Sequence, residues 1–266
     1  MSTIAIIIAC VAVLALAVPF SMVGQGGGST YVPILLMAGM GMHEASTTSL
    51  FIIMLASIGS TLVFGRKKTV DWKLLFAIVP FAIVGSFAGG YVAQWISSIT
   101  LKVIFIAVLG IAAFFMLRPA TEGRSPDFMP GWYCWYRTCG EQQYTISMGL
   151  LIPATALIGF IAGLIGVGGG LFLLPMLILL FGCPTRIAIG ISSTYVGITA
   201  LPGFLGHLLG GDPFNVWIAL PLSAAAFIGA SLGPVISLRT GVPKLRIILA
   251  IVLVALAAWM IIKLFV

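Results

Sequence analysis

A glycine cluster that occurs twice constrains the fold of this chain more than any other feature. The first copy, GQGGGSTYVP, begins at residue 24, and the second, GVGGGLFLLP, begins 142 positions later at residue 166. Each follows a long apolar run and ends on a proline. Glycine is costly inside a helix, because it adds backbone entropy and brings no packing side chain. Each cluster therefore predicts a break between a long helix and a short one.

The composition indicates an integral membrane protein. Of 266 residues, 61% are hydrophobic and only 7% are charged, whereas soluble domains carry about a quarter charged residues. The apolar runs are long enough for helices, which excludes an outer-membrane barrel. The net charge of +7 comes from short loops, so we interpret it as a topology signal and expect no nucleic-acid binding. No Lys or Arg precedes the first run, which is expected to be a retained span.

The apolar runs predict an all-α protein with about ten membrane segments. Eight runs have the roughly 20 residues that a spanning helix needs, and the second and seventh are shorter runs directly after the glycine clusters. The runs lie at 3–23, 30–41, 45–65, 74–96, 100–118, 145–166, 171–182, 187–209, 214–238 and 244–265.

The duplication extends well beyond the glycines. Three further matches follow at nearly the same offset: A-x-x-x-S at 45 and 188, G-x-x-x-G at 85 and 229, and LKVI at 101 against LRII at 245. The sequence therefore predicts a first five-segment repeat over 1–118, a linker over 119–144 and a second repeat over 145–266, which together form one transport domain.

The basic residues predict the relative orientation of the repeats. If the short segments cross the membrane, each repeat has five crossings and the halves are inverted; if they are re-entrant, each has four and the halves are parallel. Five crossings place eleven Lys and Arg residues on one side and only Lys102 and Lys263 on the other, whereas four crossings divide them eight to five. The positive-inside rule favours the 5+5 inverted repeat, with both termini outside the cytoplasm.

The linker is the only sizeable hydrophilic stretch, and we expect it in the cytoplasm. Its charged residues are interpreted as solvated and its aromatic residues as lying at the headgroup boundary. The pair Cys134 and Cys139 is a weak match to a metal site and is interpreted as two reduced thiols. The charged residues are Glu122, Arg124, Asp127, Arg137 and Glu141, and the aromatic ones are Trp132, Tyr133, Trp135 and Tyr136.

Two opposed glycine clusters would form an anion site. A helix N-terminus presents unpaired N–H groups and about half a positive charge, and glycine lets a ligand approach that backbone. Inverted-repeat transporters bind anions in this way at broken helices. Alternatively, the glycines only allow close helix packing, which is our interpretation of the G-x-x-x-G pairs at 85, 159 and 229. The predicted binding residues of the clusters are Gln25, Gly26, Gly27, Gly28, Gly168, Gly169 and Gly170.

Hydroxyl groups after the short segments are candidate anion donors. They are Thr48 and Ser49 in one half and Ser192 and Ser193 in the other, although hydroxyls in membrane helices also bond to their own carbonyls. Gln25 corresponds to Val167, so the two halves of the site would be unequal.

Few ionisable residues lie near the membrane. We expect His43 and Arg186 at opposite mouths, where they could serve gating or coupling, and His207 and Asp212 near the outer end of the eighth helix. No Asp or Glu falls inside an apolar run, which argues against cation selectivity by carboxylates. The sequence shows no recognisable catalytic set or metal set. The glycine clusters are also not phosphate loops, because they lack the Lys and the strand of that motif. The sequence therefore does not predict an enzyme.

The doubled G-x-G-G-G-x4-P with its following A-x3-S resembles the sulfite exporter TauE/SafE family, also called the toluenesulfonate uptake permease family. The resemblance covers nearly the whole chain except 119–144. It implies a secondary transporter that exports sulfite, sulfonates or related small sulfur-containing anions across a bacterial-type inner membrane.

Other functions stay open at this point. The alternatives are a transporter or channel for another small anion and a non-transporting membrane accessory protein. Mirrored broken helices disfavour the accessory protein, because a scaffold needs no opposed helix N-termini. The glycine faces leave a homodimer open.

Overall fold

The computed structural model describes residues 3–118, 134–139, 142–238 and 243–265. The described part of the chain forms ten α-helices and one two-stranded antiparallel hairpin. The helices are α1 (Thr3–Met22), α2 (Gly28–Met37), α3 (Met42–Arg66), α4 (Trp72–Val92), α5 (Ser98–Leu117), α6 (Met148–Ile165), α7 (Gly170–Leu179), α8 (Thr185–Leu209), α9 (Val216–Ser237) and α10 (Pro243–Phe265), and the strands are β1 (Cys134–Cys139) and β2 (Gln142–Ser147).

Seven of the described helices are long and apolar enough to cross a membrane, namely α1, α3, α4, α5, α6, α8 and α9. The expectation of a helical, multi-pass membrane protein is therefore confirmed. The short helices α2 and α7 have ten residues each and begin at Gly28 and Gly170. Among the seven, α8 is the most enclosed, with 78% of its apolar window buried, so it forms the centre of the bundle.

Glycines let the long helices pack backbone against backbone. A Cβ atom on Gly85 or Gly89 of α4 would collide with the carbonyls of Ala156 and Phe160 in α6. Gly229 and Gly233 make the same kind of contact between α9 and α1. The interpretation of these G-x-x-x-G pairs as helix contact faces is confirmed, and close approach of this kind gives the dispersion contacts that hold membrane helices together.

The contacts of α3 and α8 show that these two helices run in opposite directions. Ser193 Oγ lies 2.8 Å from Ser60 Oγ, late in α3, while the Phe51 and Phe204 rings meet at 5.4 Å, earlier in α3 and later in α8. Since the residue numbers rise along one helix as they fall along the other, the pair is antiparallel.

The relative directions of two further helix pairs, α4 with α8 and α5 with α10, also follow from their contacts. Ser86 Oγ of α4 donates to Thr199 O of α8 over 2.7 Å, and a Cβ atom on Gly90 would meet Gly203 O, so α4 and α8 are parallel. Lys102 near the start of α5 and Lys263 near the end of α10 line the same pocket of about 180 Å³, so α5 and α10 are antiparallel.

The hairpin ties the end of the linker to the loop before α4. Asp71 caps α4 by accepting from Leu74 N over 3.2 Å. Its carboxylate also accepts from Arg137 Nη2 at 2.6 Å, Arg137 Nε at 3.0 Å and the Tyr144 hydroxyl at 2.7 Å. Arg137 and Tyr144 are direct partners in the β1–β2 register, so the strands hold both donors towards one carboxylate.

The prediction that Arg137 is solvated was therefore wrong, since its side chain is 12% exposed. It has a buried counter-ion 66 residues away in sequence, which local composition does not reveal. Tyr136 is exposed, and its place at the headgroup boundary stays a prediction. Trp135 lies under the Arg137 guanidinium at 4.5 Å. The other linker residues singled out above, Glu122, Arg124, Asp127, Glu141, Trp132 and Tyr133, lie outside the described residues.

None of the four cysteines is paired in a disulfide. Within the described ranges, no group of three or more His, Cys, Asp or Glu side chains is arranged to hold a metal ion.

Candidate functional site

The two short helices begin at left-handed glycines. Gly27 and Gly169 are the N-caps of α2 and α7, with φ of 79° and 76°, a backbone conformation that strains any residue with a Cβ atom. The first bonds of each helix run back to these caps, from Thr30 N to Gly27 O at 3.0 Å and from Phe172 N to Gly169 O at 3.3 Å. The amides that precede them have no acceptor within their own helix.

The two glycine clusters lie against each other. A Cβ atom on Gly28 would collide with the Val167 carbonyl, and one on Gly170 would lie 3.1 Å from both Gln25 Cα and Gly24 O. The predicted glycine residues are therefore brought together from opposite halves of the chain, at a distance that only glycine permits.

Two serines fix the clusters reciprocally. Ser49 of the first half donates to Gly166 O over 2.8 Å, and Ser192 of the second half donates to Gly24 O over 2.8 Å. Ser46 adds a third bond, to Ile165 O at 3.2 Å. Because each of these hydroxyl hydrogens is committed to a carbonyl, in this conformation the serines hold the helix breaks in place.

Several buried polar atoms at the first cluster and in α3 have no hydrogen-bond partner. They are Gln25 Oε1, Ser29 Oγ, Tyr31 OH and Thr48 Oγ1, with His43 Nδ1 near the start of α3 as a fifth. Buried polar atoms are almost always paired, so unpaired ones point to a missing partner such as a ligand or water. The sequence reasoning singled out Gln25, His43 and Thr48 but missed Ser29 and Tyr31, whose signal was their position in the first turn of α2.

Two aliphatic side chains cover the glycines in this conformation. A Cβ atom on Gly26 would lie 2.7 Å from Val196 Cγ1, and one on Gly168 would lie 2.9 Å from the same atom. Ile53 packs in the corresponding way against Gly28. Ile53 and Val196 occupy matching positions of the two repeats, so they form a symmetric apolar cover over the helix starts.

A cavity of about 640 Å³ reaches the edge of this cover. It lies between α3, α4 and α8, and its walls are mainly apolar. Ser57 belongs to the cavity wall, and its hydroxyl lies 3.7 Å from the position of a Cβ atom on Gly26. The cavity therefore ends one side chain away from the first glycine cluster.

The remaining predicted residues lie farther from the clusters. Ser193 bonds to Ser60 over 2.8 Å in the contact of α8 with α3. Arg186, at the start of α8, is exposed. His43 Nδ1 lies 3.2 Å from Asp212 Oδ1, and His207 Nδ1 lies 2.6 Å from Asp212 Oδ2. The sequence reasoning placed His207 and Asp212 together near the end of the eighth helix but did not bring His43 to them.

The charge state of Asp212 follows from its neighbours. Burial works to raise the pKa of this carboxyl, but the hydrogen bond and charge of His207, with a smaller contribution from His43, outweigh burial and lower it. Asp212 is therefore an ionised acceptor for His207, and the His43 imidazole lies 3.2 Å away on its other oxygen.

Comparison with known proteins gives consistent matches. The family model described as Sulfite exporter TauE/SafE matches residues 8–260. The probable membrane transporter protein YunE of Bacillus subtilis is 28% identical over 91% of this chain and 92% of its own length. The probable membrane transporter protein YfcA of Escherichia coli K12 is 26% identical over 89% and 82%, respectively. A probable membrane transporter protein of Methanocaldococcus jannaschii is 26% identical over 90% and 89%. No solved structure gives a significant match.

Proposed function

The chain belongs to the sulfite exporter TauE/SafE family, and from this premise we propose that it is a secondary transporter that exports sulfite or a related small sulfur-containing anion. Family membership and the names of the relatives support a membrane transporter. The observation that supports an anion is the meeting of two helix starts, one from each half, at glycines whose first amides have no acceptor within their own helix. The location that fits this activity is a bacterial-type inner membrane.

We propose that residues 1–118 and 145–266 are inverted repeats joined by a cytoplasmic linker. The antiparallel α3–α8 and α5–α10 pairs and the parallel α4–α8 pair support this arrangement. An odd number of crossings in each repeat requires these three directions, and four crossings would reverse every one of them. The same topology places Lys102 and Lys263 together on the outer side.

In the proposed site the anion lies between the starts of α2 and α7. The amides at Gly28 and Gly170 supply partial positive charge, and Gln25, Ser29 and Thr48 supply uncharged polar groups. Uncharged donors suit a transported anion, because they bind it without the strong ion pair that would hinder release. The cover formed by Ile53 and Val196 has to move for the anion to enter, so the present conformation is a closed one.

Alternating access then follows from the reciprocal serine bonds. Ser49 and Ser192 each link a long helix of one half to the glycine break of the other. When the long helix of one half moves, its serine bond therefore moves the glycine break of the other half in the same direction. This keeps the anion site intact while its access changes from one side of the membrane to the other.

The test is flux of ³⁵S-labelled sulfite in proteoliposomes of the purified protein. Leucine at Gly27 or Gly169 strains a left-handed backbone and places side-chain atoms at the helix start, so transport should be lost. Gly110→Leu is the matched control, because a Cβ atom at Gly110 meets no atom within 4 Å. If the two site variants fold and transport sulfite as fast as the control, the glycine site is wrong; if the wild type moves another small anion but no sulfur-containing one, the substrate assignment is wrong.

A further inference from the structure

Three ionisable side chains meet at one end of the helix bundle. His43 begins α3, His207 lies in the last turn of α8, and Asp212 lies in the loop between α8 and α9. The side chains of His43, Asp212 and His207 are 22%, 8% and 0% exposed. They form a line from the partly exposed His43 through Asp212 to the fully buried His207. Ionisable groups buried in a membrane bundle are costly and usually functional.

Both ring nitrogens of His207 face oxygen acceptors. Nδ1 lies 2.6 Å from the Asp212 carboxylate, and Nε2 lies 2.8 Å from the carbonyl oxygen of Gly163 in α6. A carbonyl oxygen can only accept, and an ionised carboxylate can only accept. The two contacts are therefore both hydrogen bonds only when each nitrogen carries a hydrogen, which is the imidazolium form.

The proton on His207 links several helices. The hydrogen bond from Nε2 to Gly163 O links α8 to α6, three residues before the glycine break at Gly166. On the other side of the ring, Asp212 lies between His207 and His43 of α3. Loss of one proton would set a nitrogen lone pair against an oxygen lone pair at Asp212 or at Gly163, so one of the two bonds would become a repulsive contact.

We propose that His43, Asp212 and His207 form a proton-binding site that closes the outer mouth of the transporter when a proton is bound and lets it open when the proton leaves. The position of this mouth on the outer side rests on the inverted topology of the proposed function. Because His43 is the most exposed member, protons enter and leave through it, and Asp212 passes them to His207. The ligand of this site is the proton itself.

Among its described contacts, the His207 ring meets no ionisable side chain other than Asp212. In the described contacts, α4 presents Gly90 to the ring edge and α6 presents the Gly163 carbonyl. The titratable Tyr91 of α4 stacks with Phe87 and Trp95 instead. Glu44 follows His43 in the first turn of α3 and is the nearest other acid in sequence.

The direct test measures the width of the mouth with spin labels. Gly41, the N-cap of α3, has an ordinary φ of −70° and nothing within 4 Å of a Cβ atom, and Leu209 at the end of α8 is 68% exposed. Cysteines at these two positions, in a protein whose four native cysteines are replaced and whose transport is retained, carry the labels. Pulsed electron spin resonance at about pH 5.5 and about pH 8.5 brackets the range in which imidazole titrates.

In the wild type we expect one short distance at the lower pH and a longer second population at the higher pH. His207→Gln keeps a hydrogen-bonding side chain but cannot bind the proton, so its distance distribution should be the same at both pH values. Glu44→Gln is the control and should keep the wild-type response. A parallel transport profile with methanesulfonate, whose charge does not change in this range, should lose its pH dependence in His207→Gln alone.

Two results would overturn the proposal: a wild-type distance that does not respond to pH, or a His207→Gln protein that responds like the wild type. If His207→Gln does not fold, His43→Gln at the partly exposed position takes its place, and a full wild-type response there overturns the proposal as well. Since the distances require no substrate, they separate a failure of this site from a failure of the proposed anion transport.

Discussion

Replacement of Arg137 by alanine should destabilise the protein strongly, although the residue lies in the hydrophilic linker. The Asp71 carboxylate is 2% exposed and accepts two hydrogen bonds from this guanidinium. Without Arg137 the carboxylate keeps only the Tyr144 hydroxyl and the Leu74 amide. Removal of one partner of a buried ion pair costs about 3–5 kcal/mol, and the partial exposure of Arg137 places our expectation near 3 kcal/mol.

The assay is unfolding by sodium dodecyl sulfate in mixed micelles, followed by circular dichroism. Arg118→Ala is the control, because this arginine directly follows α5 and its side chain contacts only the Phe114 ring, at 4.9 Å, among its described contacts. An exposed contact of this kind contributes about 0.5–1 kcal/mol. The double variant with Asp71→Asn should recover part of the loss, since it removes the uncompensated charge. If Arg137→Ala loses no more stability than Arg118→Ala, the buried pair is not what fixes the hairpin.

The same carboxylate predicts a pH dependence of stability. Burial works to raise the pKa of Asp71, but the hydrogen bonds of Arg137, Tyr144 and Leu74 and the charge of Arg137 outweigh burial and lower it. A group whose pKa is lowered by folding stabilises the folded state above its unfolded pKa of about 3.9. This stabilisation is lost as the pH falls through the lower, folded value. The stability difference between wild type and Asp71→Asn should therefore stay constant near neutral pH and shrink only below about pH 4.

Two further predictions concern the glycine clusters. Gly28→Ala places a Cβ atom against the Val167 carbonyl, so it should lower both stability and sulfite flux, while Gly110→Ala should lower neither. A fully active Gly28→Ala protein would contradict the close contact. Ser49→Ala and Ser192→Ala should each lower the free energy of unfolding by about 1–3 kcal/mol in the same assay, because each leaves a buried glycine carbonyl unpaired. A large loss of stability in one variant with none in the other would contradict the reciprocal arrangement.

The helices could be predicted from the sequence because their signals are local. A run of about 20 apolar residues specifies a membrane helix wherever it occurs, and glycines end such a run through their own backbone freedom. The start of α2 at Gly28 and of α7 at Gly170 follows from this reasoning. The pairing of the two clusters was expected from the repeat, because two inverted copies would aim their helix starts at the same midplane.

The partners of the polar side chains could not be predicted in the same way. Ser49 and Ser192 were expected to face an anion, and they bond to carbonyls 117 and 168 residues away in sequence. The hydroxyl group suits either partner equally well, and only the three-dimensional packing decides between them. The bond between Arg137 and Asp71 was missed for the same reason, since composition places an arginine in a polar linker but does not reveal a buried acceptor.

The two halves of the chain make matching contacts at the glycine clusters but different contacts around Asp71 and Asp212. At the centre, Ser49 and Ser192 make equivalent bonds across the halves. At one end, Asp71 is held by an arginine from the linker, which has no counterpart in the repeat and stays charged at every physiological pH. At the other end, Asp212 lies between two imidazoles, 2.6 Å from His207 Nδ1 and 3.2 Å from His43 Nδ1.

In the proposed inverted arrangement an anion meets the same path from either side, so the arrangement favours no direction by itself. Two ends with different chemistry remove that symmetry. The arginine end keeps its charge when the pH changes, whereas the proposed proton-binding site at the histidine end would gain or lose a proton. Only the histidine end would then alter its opening in response to the pH outside, so the direction of transport would come from the difference between the two ends.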